Sequence, residues 1–144
     1  MNLPLIIVLL SLLALAKSNP FFIAAAATQV VAAIVKIVDR TEQRSVIVEN
    51  HGRHHAHLWC ESRDDKIGGS DGVWIAPGKS LGWAFGKGSK TQFWCNMDWW
   101  GQRVGWDAYV HNWKDAPKIT KWHIRDDGVY DEWRGRKWRN LKSE

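Results

Sequence analysis

From Arg44 onward the chain consists of short segments in which apolar and polar residues alternate, separated every roughly eight to twelve residues by Gly, Asp, Asn or Pro. Alternation with a period of two predicts half-buried β-strands, and this regular spacing is typical of a sandwich or barrel. We predict strands near Ala33–Asp39, Ser45–Asn50, Ala56–Ser62, Val73–Ala76, Ser80–Phe85, Thr91–Trp99, Val104–His111, Thr120–Arg125 and Val129–Trp133. The fold class is therefore all-β, a small antiparallel β-sandwich of about eight short strands.

The alternation also assigns faces to the strands. In Thr91–Trp99 the odd positions place one apolar set on the predicted core side, namely Phe93, Cys95, Met97 and Trp99. Leu58 and Cys60 share a face in the same way, so both cysteines are expected to point inward and to meet across the core. Trp59 and Trp94 fall on the opposite faces and are candidates for exposed rings.

The first residues predict a targeting segment. Residues 1–16 form an almost continuous apolar run that ends in Ala14-Leu15-Ala16, the pattern of a secretory signal peptide and its cleavage site. Cleavage is expected after Ala16 or as late as Ala27, and an uncleaved membrane anchor is the alternative. We predict an extracellular, secreted protein with one domain over residues 28–144 and a basic C-terminal tail over 134–142.

The chain contains two cysteines, Cys60 and Cys95. In an oxidising compartment such a pair is expected to form one disulfide, which would stabilise the fold by about 3 to 4 kcal/mol. Two unrelated buried thiols are the alternative.

Composition adds an excess of tryptophan and a moderate positive charge. The chain has 11 Trp but only 4 Phe and 2 Tyr, and its net charge is +5. Indole rings carry an N–H that needs a partner, which favours half-buried positions and binding faces. The charge is too small to indicate nucleic-acid binding, although it would favour acidic partners. A solvated tail explains the same basic residues more simply.

Histidines are concentrated between His51 and His57. His55 and His57 could share a Zn²⁺ or Cu²⁺ ion, with His51 or His54 as a third ligand. No carboxylate or thiolate completes a standard spacing, so we predict an exposed hairpin and no metal site. His51, His54, His55 and His57, together with Trp59 and Trp94, remain candidates for a binding surface.

No sequence motif of catalysis is present. The chain lacks a nucleophile elbow, a metalloprotease helix motif and a phosphate loop, so we predict a protein that is not an enzyme and needs no cofactor. Exposed indoles could instead stack on a cell-wall polysaccharide, and the candidates for this role are Trp59, Trp94, Trp100 and Trp113.

Several segments in succession resemble the plant self-incompatibility S1 proteins. They are Asn50, Cys60-Glu61-Ser62-Arg63-Asp64-Asp65-Lys66-Ile67-Gly68, Gly82-Trp83-Ala84-Phe85, Thr91–Trp99, and Trp122 with Asp127-Gly128-Val129-Tyr130. The family pattern has Cys-x-Ser-x-Asp-Asp-x-x-Gly, then Trp-x-Phe, then Thr-x-Phe-x-Cys, in this order. Family members commonly carry a second cysteine pair around the segment that runs here from Thr120 to Tyr130, where this chain has none.

The resemblance implies a secreted β-sandwich that acts as a cell–cell recognition ligand read by a membrane receptor. It places Cys60 at the base of the loop that contains Asp64, Asp65 and Lys66, the candidate recognition loop. The carboxylates of this loop could equally serve to cap the backbone of a turn. We expect a monomeric ligand of a cell-surface receptor protein; a secreted, Trp-rich protein that binds carbohydrate or acts in defence on cell wall or anionic membrane is the alternative.

Overall fold

The computed structural model of the protein describes residues 21–40 and 43–142. Their strands form two sheets, one of six strands and one of five, and the predicted all-β sandwich is thereby confirmed. The elements are β1 (Phe21–Ala26), α1 (Ala27–Arg40), β2 (Gln43–Asn50), β3 (Ala56–Glu61), β4 (Lys66–Ile67), β5 (Val73–Ile75), β6 (Lys79–Gly86), β7 (Gln92–Trp99), β8 (Gln102–Val110), β9 (Ile119–Arg125), β10 (Gly128–Asp131) and β11 (Arg136–Asn140). The predicted signal peptide, residues 1–16, lies outside the described residues.

The six-stranded sheet has the order β1-β6-β2-β9-β10-β11, and the five-stranded sheet has the order β4-β3-β7-β8 with β5 also paired to β3. Among the described strands, every pair is antiparallel except β2 and β9, which run parallel from Ser45 opposite Ile119 to Asn50 opposite Ile124. A parallel neighbour has to come from a distant part of the chain. The six-stranded sheet therefore places β2, at the start of the region with alternating residues, beside β9, in the last third of the chain.

The core lies between the two sheets and combines aliphatic side chains with several large aromatic rings. Phe93, Cys95, Met97 and Trp99 are buried there, as the alternation in Thr91–Trp99 predicted. Trp83 and Trp122 are fully buried as well. The indole N–H of Trp122 donates to the Ala108 carbonyl at 3.1 Å, so this ring satisfies its polar atom inside the core.

The predicted strand Ala33–Asp39 is wrong, because this segment belongs to helix α1. Its β-branched residues suggested a strand, but Val31, Ile34 and Val38 recur at helical spacing. Ile34 and Val38 are buried against Ile47 of β2, on the face of the six-stranded sheet opposite the main core. Tertiary packing of this stripe, together with the neighbouring alanines, outweighs the local preference for a strand.

The basic C-terminal segment was expected to be a solvated tail, but its residues Arg136–Asn140 form the edge strand β11. Leu141 is buried, and its N–H donates to the Asp127 carbonyl at 2.9 Å. Alternation is obscured here because Trp138 is the one apolar side chain in a run of charges. The basic side chains themselves are mostly exposed, which suits an edge strand.

Cys60 and Cys95 form the predicted disulfide, and both are buried. The expectation that they would meet across the core is wrong. The two residues lie directly opposite each other on β3 and β7, neighbouring strands of one sheet, with Cα atoms 4.0 Å apart. Alternation shows which way a side chain points but not which strands are neighbours, so the sequence could not separate these two arrangements.

No helix in the described part of the chain is both long enough and apolar enough to span a membrane.

Candidate recognition surface

The candidate recognition loop is the tip of the hairpin between β3 and β4. Glu61 pairs with Lys66 at its base, and the Ser62 N–H donates to the Asp65 carbonyl at 2.8 Å. The turn is capped by the Ser62 hydroxyl, which accepts the Asp65 N–H at 3.2 Å. A hydroxyl therefore performs the capping that the sequence attributed to the carboxylates.

The charged side chains of this tip differ in exposure. Asp64 and Lys66 are exposed, whereas Asp65 is half-buried beside Ser62. The disulfide at Cys60 lies one residue before the base pair of the hairpin, so the tip projects from a covalently fixed strand. Lys66 also lines a groove on the outer face of the five-stranded sheet, together with Trp59, Glu61, Asn96 and Arg103.

The outer face of the five-stranded sheet carries a column of rings in close contact. His57 lies with its ring centroid 3.8 Å from that of Trp59 and 4.1 Å from that of Trp74, and the Arg103 guanidinium lies 5.6 Å from the Trp59 ring. These rings meet because His57 pairs with Trp74 on β5, while period two places Trp59 on the same face as His57. Trp59 and Trp94, predicted to face away from the core, are half-buried on this face.

Two polar contacts order the same face. The Trp94 indole N–H donates to Glu61 Oε1 at 3.0 Å, and Arg103 Nε donates to Asp98 Oδ1 at 2.9 Å. The hydrogen bond from Arg103 holds the pKa of Asp98 below its usual 3.8 and keeps this carboxylate charged. The face is therefore an aromatic surface crossed by fixed charges.

A second cleft adjoins the aromatic face, and it is formed around two exposed indoles. Trp74 is 65% exposed and Trp100 is 53% exposed, and both line the cleft with His54, His55 and Asp98. The Trp100 ring stacks on His54 at a centroid distance of 4.9 Å. Of the four indoles predicted to be candidates for sugar stacking, Trp100 is the one the structure leaves well exposed; Trp113 packs against Trp133 and Arg134.

Trp74 was not singled out by the sequence analysis, although its signal was present. Val73-Trp74-Ile75 alternates within a predicted strand, and Ile75 is buried, so Trp74 must face outward. The outward direction of Trp74 could be inferred from the alternation, but nothing in the sequence showed that β5 would pair with β3 and bring Trp74 onto His57.

The segment from His51 to His55 is not the predicted hairpin. It crosses from β2 in the six-stranded sheet to β3 in the five-stranded sheet. The buried Asn50 organises this crossover, because its side-chain amide donates to the carbonyls of His54 and Ile75 at 2.8 and 2.9 Å. Its Oδ1 atom accepts the Gly52 N–H at 2.9 Å. An irregular connection can be fixed in this way by one polar side chain.

The crossover separates the histidines that the sequence grouped together. His54 and His55 line the Trp74–Trp100 cleft, and His57 lies within the ring column. His51 instead stacks on His123 of β9, with ring centroids 4.8 Å apart. Burial lowers the pKa of His123 below its usual 6.5, while the carboxylates of Glu49 and Glu132 oppose this shift.

Taken together, these features define a two-sheet sandwich with one intrasheet disulfide, a charged hairpin tip and an outward aromatic face. A sequence model of the family described as plant self-incompatibility protein S1 matches residues 45–142, from β2 to the end of the described chain. The protein belongs to this family. Comparison with curated proteins gives no match, and comparison with solved structures gives none either.

Proposed function

We propose that the protein is a secreted, non-enzymatic recognition ligand of the S1 type, which presents the β3–β4 hairpin tip to a cell-surface receptor. Membership of a self-incompatibility family supports a recognition role. The observation that carries the assignment to this loop is the exposure of Asp64 and Lys66 on a tip whose base is fixed by the Cys60–Cys95 disulfide. A loop that is already ordered loses little conformational entropy on binding.

The groove beside the tip extends the proposed surface. Lys66 belongs to both, and the groove adds the Trp59 ring and the Arg103 guanidinium. Aromatic and arginine side chains dominate the energy of protein interfaces, whereas charges at the rim mainly set the association rate and the choice of partner. A receptor that contacts the tip would thus find an anchoring surface next to it.

The experiment compares receptor binding by the wild-type protein and a D64N/D65N variant. Fluorescently labelled protein is titrated onto intact reproductive cells of the source plant, with and without protease treatment of the cell surface. We expect saturable, protease-sensitive binding that the double substitution weakens by about tenfold or more, without a change in melting temperature.

The matched control is D115N, which makes the same chemical change on an exposed loop between β8 and β9. Asp115 has a φ of 59°, a conformation that Asn adopts readily. Wild-type binding by the D64N/D65N variant would contradict a recognition role for the tip, and binding that survives protease treatment would contradict a protein receptor.

A carbohydrate-binding role is a second candidate, favoured by the cleft between Trp74 and Trp100. Exposed indoles offer flat apolar faces to sugar rings, and Asp98, His54 and His55 supply polar groups at the cleft wall. We expect W74A to abolish any change in tryptophan fluorescence on titration with cell-wall oligosaccharides.

For Trp100 the suitable substitution is W100N, because its φ of 45° is tolerated better by Asn than by Ala. Trp94→Phe is the control, since this ring lies outside the cleft and is half-buried. Oligosaccharide binding that W74A and W100N leave intact would contradict the assignment to this cleft.

A further inference from the structure

Glu49, His51 and His123 converge on the outer side of the six-stranded sheet, away from the proposed recognition surface. Glu49 and His51 are two residues apart and lie on the same side of the chain, because side chains in an extended segment alternate. His123 lies opposite Glu49 in the parallel pairing of β2 with β9. Residues from distant parts of the sequence are thus held together by sheet register, which is why the spacing of histidines along the chain did not reveal them.

The three side chains present their ligand atoms to one another. Glu49 Oε2 lies 2.7 Å from His51 Nε2 and 3.9 Å from His123 Nδ1, and all three ligand atoms lie within 4.8 Å of one another. Tetrahedral Zn²⁺ with bonds of about 2.0–2.1 Å needs ligand atoms about 3.3 Å apart. The Glu49–His123 separation would have to close by about 0.6 Å and the widest separation by at most about 1.5 Å, while the Glu49–His51 contact would open by about 0.6 Å. Rotation of the exposed His51 ring out of its stack on His123 can supply the changes that involve His51.

We propose that Glu49, His51 and His123 form a binding site for a divalent transition-metal ion of the Zn²⁺ type. Two imidazoles and one carboxylate are a known ligand set for Zn²⁺, and they do not suit Ca²⁺ or Mg²⁺, which take oxygen ligands. Both cysteines are held in the disulfide, so thiolate ligation is excluded within the described chain. Three protein ligands leave one coordination position for water or for a group from a partner.

Glu132 is placed to support the histidine ligand. Its Oε1 lies 3.6 Å from His123 Nε2, an atom that makes no hydrogen bond within the described structure. A carboxylate that accepts the Nε2–H fixes the tautomer in which Nδ1 is free to bind metal, the usual support of a histidine ligand. The Glu132 side chain is 53% exposed and can close this distance without disturbing the core.

The positive charge of Lys121 opposes metal binding at this site. Its ammonium lies 3.6 Å from Glu49 Oε1 and 3.8 Å from Glu132 Oε2. It occupies the Glu49 oxygen that does not face the histidines, so Oε2 remains available, but its positive charge repels a second cation at short range. We therefore expect the K121Q substitution, which removes this charge, to strengthen metal binding.

The test is calorimetric titration of the full chain, expressed in a eukaryotic secretion host, with ZnCl₂ near neutral pH. We expect one ion per protein, with affinity reduced about tenfold or more by H51A, H123Q and E49Q and increased by K121Q. H51A is the most informative loss, because His51 is exposed and its removal should leave folding intact; circular dichroism checks this for each variant.

The matched control is H54A/H55A, which removes two histidines of the same sequence cluster but leaves the proposed site complete. Wild-type affinity in this variant supports the proposal. The proposal is overturned if wild-type protein gives no heat with ZnCl₂, or if H54A/H55A loses binding while the folded H51A variant keeps it. Neither outcome bears on receptor binding by the hairpin tip, so the two proposals can fail separately.

Discussion

Gly52 lies where the crossover from β2 to β3 passes over the ring of Trp99. A Cβ atom at this position would overlap the Trp99 indole, which is itself fully buried. Glycine is needed here because it has no Cβ atom, which allows the backbone to approach a core ring closely.

Gly52→Ala is therefore expected to destabilise the protein by about 1 to 3 kcal/mol, the usual range for overpacking. Urea denaturation followed by tryptophan fluorescence measures this loss. Gly86→Ala is the matched control, because an added Cβ meets nothing within 4 Å there and should change stability little. Equal stability of G52A and wild type would show that the crossover shifts easily.

Asp127 links the β9–β10 turn to β11. The Lys137 ammonium lies 2.9 Å from its Oδ2 atom, and the Tyr130 hydroxyl donates to the same atom at 2.8 Å. These two hydrogen bonds, with Lys137 the larger cause, hold the pKa of Asp127 below its usual 3.8. The folded protein therefore binds fewer protons here than the unfolded chain, and the stabilisation is lost as pH falls through the folded-state pKa.

We expect Asp127→Asn to lower the melting temperature by a small, constant amount above about pH 5, because the contact is exposed. The difference from wild type should vanish on acidification, once Asp127 is protonated. Melting curves from pH 7 to pH 2 measure it, with the exposed Asp64→Asn as control. A difference that persists at the acid end would show that the contribution of Asp127 is not electrostatic.

At the scale of elements, the disulfide is a link between neighbouring strands of one sheet. β3 and β7 are already joined by backbone hydrogen bonds, so the bridge adds no new partner to either strand. Its contribution comes from closing a loop with a sequence separation of 35 in the unfolded chain. It also fixes the strand from which the proposed recognition tip projects.

The double variant C60A/C95A is expected to lose about 3 to 4 kcal/mol of stability from loop closure, and somewhat more from the lost buried sulfurs. Because β3 and β7 remain paired through their backbones, circular dichroism at low temperature should still report a folded sheet. Guanidinium denaturation measures the change. Unaltered stability after this substitution would contradict a stabilising role for the bridge.

The strands of the sandwich could be predicted because each buries one face. Phe93, Cys95 and Met97 show that the alternation of apolar and polar residues was sufficient to identify core positions. Helix α1 could not be predicted so easily, because Val31, Ile34 and Val38 favour strand locally and become helical only by packing on Ile47. Pairing between strands was beyond the sequence altogether. That is why the position of the disulfide, the contact of Trp74 with His57 and the approach of His123 to Glu49 required the structure.

At the scale of the whole molecule, the C-terminal strand closes one side of the sandwich. The Gln102 side-chain amide donates to the Lys142 carbonyl at 2.8 Å and its Oε1 accepts the Lys142 N–H at 2.7 Å, which ties the backbone of Lys142 to β8 of the other sheet. Arg139 Nε also donates to the Gly105 carbonyl on β8, at 2.8 Å.

Truncation after Gly135 is therefore expected to remove several kcal/mol of stability, since the burial of Leu141 alone is worth about 2 to 5 kcal/mol. Thermal unfolding measures the loss. Arg136→Gln, which removes charge but keeps β11, is the control and should unfold close to the wild-type temperature. A truncated protein as stable as wild type would mean that β11 is dispensable for the fold.

The parallel pairing of β2 with β9 has a consequence for how the protein is made. β2 leaves the ribosome early, yet its neighbour β9 follows only after some seventy further residues, as the register of Ser45 with Ile119 requires. β3 and β7 are complete at Trp99, before β9 begins at Ile119, so the Cys60–Cys95 pair can be oxidised while the six-stranded sheet still lacks its centre. Biosynthesis would thus pass through a bridged, half-assembled species, in which the edge of β2 that pairs with β9 has no strand partner until the last third of the chain is made.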